Sequence, residues 1–277
     1  MAQLDPFEIR KGKIAAIGDE FLADAPANSQ ETRRERAEFR DLINREKEAL
    51  KEFFGYDIDV PPVPEEITPE QYEKWKELGF ELHYLPEEDL TKGRDLPGWK
   101  KKPKDWFYDK IQEGKVSEDA TKLPGAWILA DSREKPQYND GDQTYEDDEK
   151  IGKVLKKLRA NGAIKDFKKE DSRFNISWDE LNKTEMKEAL AEILNTDPQN
   201  LRLPRAIEWN YLGNAFYERW GKTSTWEWFE DEYDKGWFRL HSGLAGLGSL
   251  SGVGCHGPVF RVDALGFRPL VVFSSTK

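Results

Sequence analysis

One cysteine, two methionines and three histidines are all that the 277-residue chain offers to thiol, redox or soft-metal chemistry. A lone Cys255 closes no intrachain disulfide, so nothing signals an oxidising compartment. His83, His241 and His256 never fall at the i, i+3 or i, i+4 spacing of a metal-binding helix. Cys255 and His256 are adjacent, and strand alternation would send their side chains to opposite faces. No metal and no other cofactor is therefore expected. Long apolar runs are missing, so no membrane insertion is expected. The first residues, Met1-Ala2-Gln3-Leu4-Asp5-Pro6-Phe7-Glu8, meet acids early and contain no apolar signal core. A cytoplasmic or virion-associated location is the default expectation. Basic charge is in deficit: the net charge is −11, which argues against a nucleic-acid partner. The one basic cluster, Lys100-Lys101-Lys102-Pro103-Lys104, reads as a solvated loop. No Gly-x-Ser-x-Gly elbow occurs. Gly243, Gly246 and Gly248 lack the lysine and the following helix of a phosphate loop. No catalytic residue is expected.

Aromatic residues are plentiful. Ten tryptophans, nine tyrosines and fifteen phenylalanines demand a packed interior despite a charged fraction of 35%. The length allows one large domain or two modest ones. A helix is predicted over 29–54, capped by Ser29 and stopped at Gly55. The connector Pro61-Pro62-Val63-Pro64 should be extended. Thr68, Pro69 and Gln71 open a second helix, with Tyr72, Trp75 and Leu78 on one face. Residues 85–125 read as loops with a short helix at 106–112. Residues 126–130 read as a buried strand, followed by an acidic, turn-rich stretch over 131–148. A helix over 149–161 turns Ile151, Val154, Leu155 and Leu158 inward. Ser177 and Glu180 form a capping box for another, ending near Asn195. A further helix is predicted over 204–220, with Pro204 at its first position and Gly221 after it. The final run, Pro269-Leu270-Val271-Val272-Phe273, reads as a core strand.

Between residues 239 and 265 the chain changes character. This segment holds six glycines and three charged residues, and helical periodicity disappears. Short strands joined by glycine turns are expected. Just before it, Glu230, Asp231, Glu232 and Asp234 cluster. Such carboxylates could bind calcium, but a set of acceptors that fix nearby loops is the favoured reading.

Two segments and the terminus carry a resemblance. Arg202-Leu203-Pro204-Arg205-Ala206-Ile207-Glu208-Trp209 resembles the Arg-Leu-Pro-x-x-x-Glu-Trp helix of the formylglycine-generating-enzyme family. Trp226-Glu227-Trp228-Phe229-Glu230-Asp231-Glu232-Tyr233 is similar to that family's Trp-Glu-Trp-x-x-Asp-x-Tyr block. Gly266-Phe267-Arg268 matches its terminal Gly-Phe-Arg. Order and approximate spacing agree from residue 202 to residue 268. The resemblance implies an α+β chain with a C-type lectin fold over 121–277 and a helical, loop-rich N-terminal extension over 1–120. Arg202, Glu208, Trp209, Trp226, Trp228, Gly266, Phe267 and Arg268 would be its scaffold. The enzyme's chemistry does not carry over, because its cysteine pair is reduced here to one and the histidine triad of related iron enzymes is missing. Where the family usually continues Arg-Gly-Gly-Ser-Trp, this chain has Arg239-Leu240-His241-Ser242-Gly243.

A family with this fold and no catalysis is also resembled: the variable proteins of diversity-generating retroelements. In them a C-terminal segment is rewritten at adenines, usually in AAC codons. Such codons cannot become Lys, Glu, Gln, Met or Trp. Residues 239–265 contain none of these five types, which make up roughly a quarter of the whole chain, so about seven would be expected. The resemblance implies a non-catalytic protein that binds a protein ligand through a diversified surface. Its candidate residues are His241, Ser242, Leu244, Leu247, Ser249, Ser251, Val253, Cys255, His256, Pro258, Val259, Phe260 and Arg261, with Arg261 the natural polar anchor. Arg239, Gly243, Gly248 and Gly254 are candidates for a structural role. The alternatives are a degenerate oxidoreductase of the formylglycine-generating kind and a calcium-dependent lectin.

Overall fold

The cap signals act as their chemistry requires. In the computed structural model, which describes residues 39–273, Thr68 Oγ1 accepts the Gln71 N–H at 3.2 Å and Pro69 takes the first helical position. Helix α1 (Arg40–Phe54) ends before Gly55, and α2 (Pro69–Glu77) follows the proline connector. The expected Ser29 cap of the first helix lies outside the described residues. Trp127 Nε1 donates to the carbonyls of Pro61 and Pro62 at 3.2 Å, which holds the connector extended. The described residues 43–273 belong to the larger of two compact units.

Two four-stranded sheets organise the larger unit. Strands β1 (Phe80–Leu85), β2 (Ala126–Asp131), β3 (Leu201–Arg202) and β8 (Leu270–Phe273) make an antiparallel sheet in the order β1-β2-β8-β3. Strand β2 is buried along its whole length, as its unbroken apolar run requires of a strand covered on both faces. The sequence reading did not identify β1. Its apolar residues at 80, 82 and 84 do alternate, and Phe80, Leu82 and Leu85 are fully buried. The β1–β2 ladder, from Phe80↔Asp131 to Leu85↔Ala126, crosses the division expected near residue 120. The second sheet has the order β6-β5-β4-β7, from β4 (Trp226–Tyr233), β5 (Phe238–Ser242), β6 (Val253–His256) and β7 (Leu265–Gly266). Only its β4–β7 pair is parallel.

Among the described residues there are five more helices: α3 (Asp105–Gln112), α4 (Glu149–Ala160), α5 (Trp178–Leu181), α6 (Thr184–Leu194) and α7 (Ala206–Ala215). The chain is therefore α+β. Ile151, Leu155 and Leu158 are buried on α4, and Val154 is half-buried. The helix expected from Ser177 to Asn195 is two helices. The capping box forms as expected, but the backbone turns extended at Lys183 (φ −66°, ψ 145°), which becomes the cap residue of the second helix. Helix α7 starts later than Pro204 suggested: Arg205 is its cap residue, and the Glu208 carboxylate accepts Arg205 N–H at 2.8 Å. It ends at Ala215, short of the expected 220, and a 3-10 turn (Glu218–Gly221) follows. Gly213 on α7 permits close approach, since a Cβ there would sit 2.5 Å from Leu250. Among the described residues no helix is long and apolar enough to cross a membrane.

One buried polar network ties the sheets together. Arg268 Nη2 pairs with Glu227 Oε1 of β4 at 3.0 Å, while its Nη1 donates to Asp131 O of β2. Its guanidinium lies 3.9 Å from the Trp220 ring centre. Glu227 also accepts Trp209 Nε1–H at 2.7 Å and the Tyr145 hydroxyl. The Asp131 carboxylate meets Arg173 at 2.7 Å and Arg133 at 2.5 Å. Burial opposes the charge on Asp131, but Arg173 and then Arg133 outweigh it and hold the carboxyl well below the usual range.

Candidate binding cleft in the glycine-rich segment

The segment 239–265 runs through β5, two 3-10 turns (Ala245–Leu247 and Ser249–Ser251), β6 and an irregular loop into β7. Its irregular backbone is held from outside. Lys135 Nζ donates to Gly243 O at 2.9 Å and to Thr225 O at 2.7 Å. Asn210 Nδ2 on α7 donates to Leu250 O at 2.8 Å, and Lys104 N–H to Ser251 O at 2.9 Å. Asp179 N–H reaches Pro258 O at 3.2 Å, the Gln143 amide reaches Asp263 O, and Trp226 N–H reaches Ala264 O at 2.8 Å. All of these donors lie outside the segment, and every acceptor except Thr225 O is one of its main-chain carbonyls. Such bonds are indifferent to the side chains that the segment carries.

At the start of the segment lies a cleft of about 160 Å³. It is lined by Lys104, Trp226, His241 to Leu244 and Gly252 to Gly254. His241 is only 7% exposed. Its ring stacks on Trp226 and on His256, each at 4.8 Å between centres, and His256 stacks on Phe260 at 3.9 Å. Burial first, and the neighbouring His256 second, pull the His241 ring down to about 3, with the Cys255 backbone acting in the opposite sense. The ring is therefore neutral at ordinary pH. Its Nε2 is buried and has no hydrogen-bond partner. Gly254 makes room for it, because a Cβ at 254 would stand 2.8 Å from the imidazole Cε1.

The other candidates are spread over a wider surface. Val259 is 67% exposed. Leu244, Ser249, Ser251, Val253, Cys255, His256, Pro258 and Phe260 are half-buried, whereas Ser242 is buried with His241. The side chain of Leu247 lies outside the described residues. Arg261 is not a free anchor: its guanidinium grips Glu180 through two contacts of 2.8 Å, tying the segment to the α5 capping box. Arg239 has a structural place, 3.8 Å above the Trp178 ring and 2.7 Å from Glu232. Gly243 and Gly248 have φ of 107° and 115°, which L side chains rarely adopt. Burial pushes the Cys255 thiol up, away from thiolate reactivity. Two features escaped the sequence reading: Trp226 as a wall of the cleft, and the aromatic tip Trp237, 73% exposed beside the Asp234–Gly236 turn of positive φ.

The acidic cluster is dispersed among internal duties. Glu230 accepts Leu203 N–H, Asp231 accepts Ala206 N–H at 2.6 Å, and Glu232 pairs with Arg239. Among the described residues no three His, Cys, Asp or Glu side chains are arranged to hold a metal ion. Burial raises the Asp231 carboxyl to about 6, with the Ala206 N–H opposing. The native state therefore keeps a proton that the unfolded chain releases, and stability from this group falls as pH rises from about 4 to 6. Asp231→Asn retains an acceptor for Ala206. It is expected to raise stability at pH 7 by about 1–2 kcal/mol, a gain that fades at pH 4, as measured by urea denaturation.

No family model, no curated protein and no solved structure matches the chain.

Proposed function

We propose that the protein is a non-catalytic ligand-binding protein whose 239–265 segment is a diversified contact surface on a C-type lectin scaffold. The observation that carries this reading is the source of the segment's anchoring: its backbone is fixed by Lys135, Asn210, Gln143 and main-chain donors outside it. Side chains within it other than Arg239, Ser249, Leu250 and Arg261, which pack or bond to the frame, can then vary with little loss of it, and a prearranged surface loses less entropy on binding. The lectin-type scaffold is supported by the meeting of its three motifs: Arg202 pairs with Glu208, Trp209 donates to Glu227, and Arg268 pairs with Glu227. The missing residue types in 239–265 are what adenine-directed rewriting would leave out.

The nucleotide sequence tests the proposal. A near-identical template repeat beside a reverse-transcriptase gene, differing from the 239–265 codons only at adenines, is the expected finding; no such repeat defeats the reading. A second expectation concerns tolerance. Val259→Ser and Ser251→Ala should each change unfolding free energy by less than about 0.5 kcal/mol in chemical denaturation. Losses above about 2 kcal/mol at both positions would mean that the side chains hold the frame themselves.

A further inference from the structure

We infer that the cleft bounded by Trp226 and His241 receives one phenol-type ring, the side chain of a tyrosine on a protein partner. The inference rests on the reading of 239–265 as a binding surface and names what that surface holds at its deepest point. Size is the first argument. The cleft measures about 160 Å³, close to an engineered apolar cavity of about 150 Å³ that takes up benzene. The second is its lining. The Trp226 indole, Leu244, Val253 and the glycines 243, 252 and 254 offer flat and apolar walls, suited to an aromatic group.

The third argument is polar. Two buried polar atoms of the lining residues, His241 Nε2 and Ser242 Oγ, have no hydrogen-bond partner among the described residues. His241 Nε2 is buried without a partner in a residue that is 7% exposed. A buried polar atom left unsatisfied destabilises the site, and a bound group that completes it recovers that cost. A hydroxyl can donate to the bare nitrogen or accept from its N–H, so it serves either tautomer of a neutral imidazole. A carboxylate can only accept, and it would draw a second proton onto a ring that burial and His256 keep neutral. Lys104 also lines the cleft, but it is exposed and engaged in another contact within the protein. A ring with a hydroxyl at its far end satisfies the walls and the nitrogen together. Tyrosine is also among the residues that most often dominate protein interfaces.

The test uses the full chain and three probes of one shape: p-cresol, toluene and p-toluate. Binding is followed by NMR of the His241 ring protons, assigned with a His241→Phe variant. The expected result is a saturable shift with p-cresol, and affinity at least about tenfold above that of toluene. In His241→Phe that preference should vanish; if the variant does not fold, the ranking on the unaltered protein decides. Equal binding of p-cresol and toluene would overturn the inference, because the nitrogen would then be idle. Tighter binding of p-toluate would overturn it in favour of an anion site at Lys104. No binding by any probe would overturn it as well. Failure here alongside a template repeat in the gene would remove only the tyrosine site. Absence of the repeat would remove the diversified-surface reading and leave the probe result standing.

Discussion

Glu227→Ala is expected to lower the unfolding free energy by about 3–5 kcal/mol, enough to unfold a domain of ordinary stability under mild stress. The carboxylate is fully buried in β4 and is the common acceptor for three groups: the Arg268 guanidinium, Trp209 Nε1–H and the Tyr145 hydroxyl. Truncation leaves all three donors in the interior, one of them a cation. The loss is dominated by that stranded charge rather than by missing contact area. Glu227→Gln keeps an acceptor of the same shape and should lose roughly half as much. Because Arg268 also reaches Asp131 O in β2, the effect should appear in both sheets at once. Denaturant titration gives the total, and hydrogen exchange in β2 and β4 shows whether the two fall together. A loss below about 1 kcal/mol in Glu227→Ala would mean that the network contributes packing alone.

Local signals in the sequence were read where one short-range interaction decides the outcome. Ser177 with Glu180, Thr68 with Pro69, and the buried strand at 126 each need only their neighbours to act. The signals failed where the backbone breaks inside an unbroken periodic pattern or where the deciding partner is remote. The helix that periodicity would have continued breaks at Lys183, where the backbone is extended. Strand β1 falls between the second helix and the loops expected from residue 85, a stretch the sequence left unassigned, although its ladder with β2 spans six pairs. Asp131 read as the start of an acidic turn. It is buried because Arg133, Arg173 and Arg268 converge on it, the last from 137 residues away. The candidate site was partly legible for the same reason. Composition marked 239–265 as unusual and set Arg239, Gly243, Gly248 and Gly254 apart as candidates for structural roles. Which side chains face a cleft depends on pairing: His241 opposite Gly254, and Arg239 opposite His256. Arg261 looked like a free cation because Glu180 stands 81 residues earlier.

The widest pH effect should come from Lys135. Its ammonium is almost wholly buried and donates to Thr225 O and Gly243 O, so it anchors the entry to the glycine-rich segment. Burial pulls it down to about 7, with Glu227 acting the other way and Arg268 adding to the fall. An unfolded lysine keeps its proton to about 10.4, so between about 7 and 10.4 the unfolded chain binds more protons than the native one. Stability from this group therefore rises with pH across that window, by up to about 1.4 kcal/mol per unit. A neutral amine still donates both hydrogen bonds, so the anchor survives deprotonation while the cost of the buried charge disappears. Lys135→Met removes the titration and leaves both carbonyls without their donor. The gap between the original protein and Lys135→Met, measured by urea denaturation, should widen by about 2–3 kcal/mol from pH 6.5 to 9. Tyrosines and Cys255 titrate in both proteins and cancel in the comparison. A gap that stays constant would mean that Lys135 remains charged, with Glu227 outweighing burial. In that case the same carboxylate would neutralise both buried cations, and Glu227→Ala should cost more than the upper end of its range.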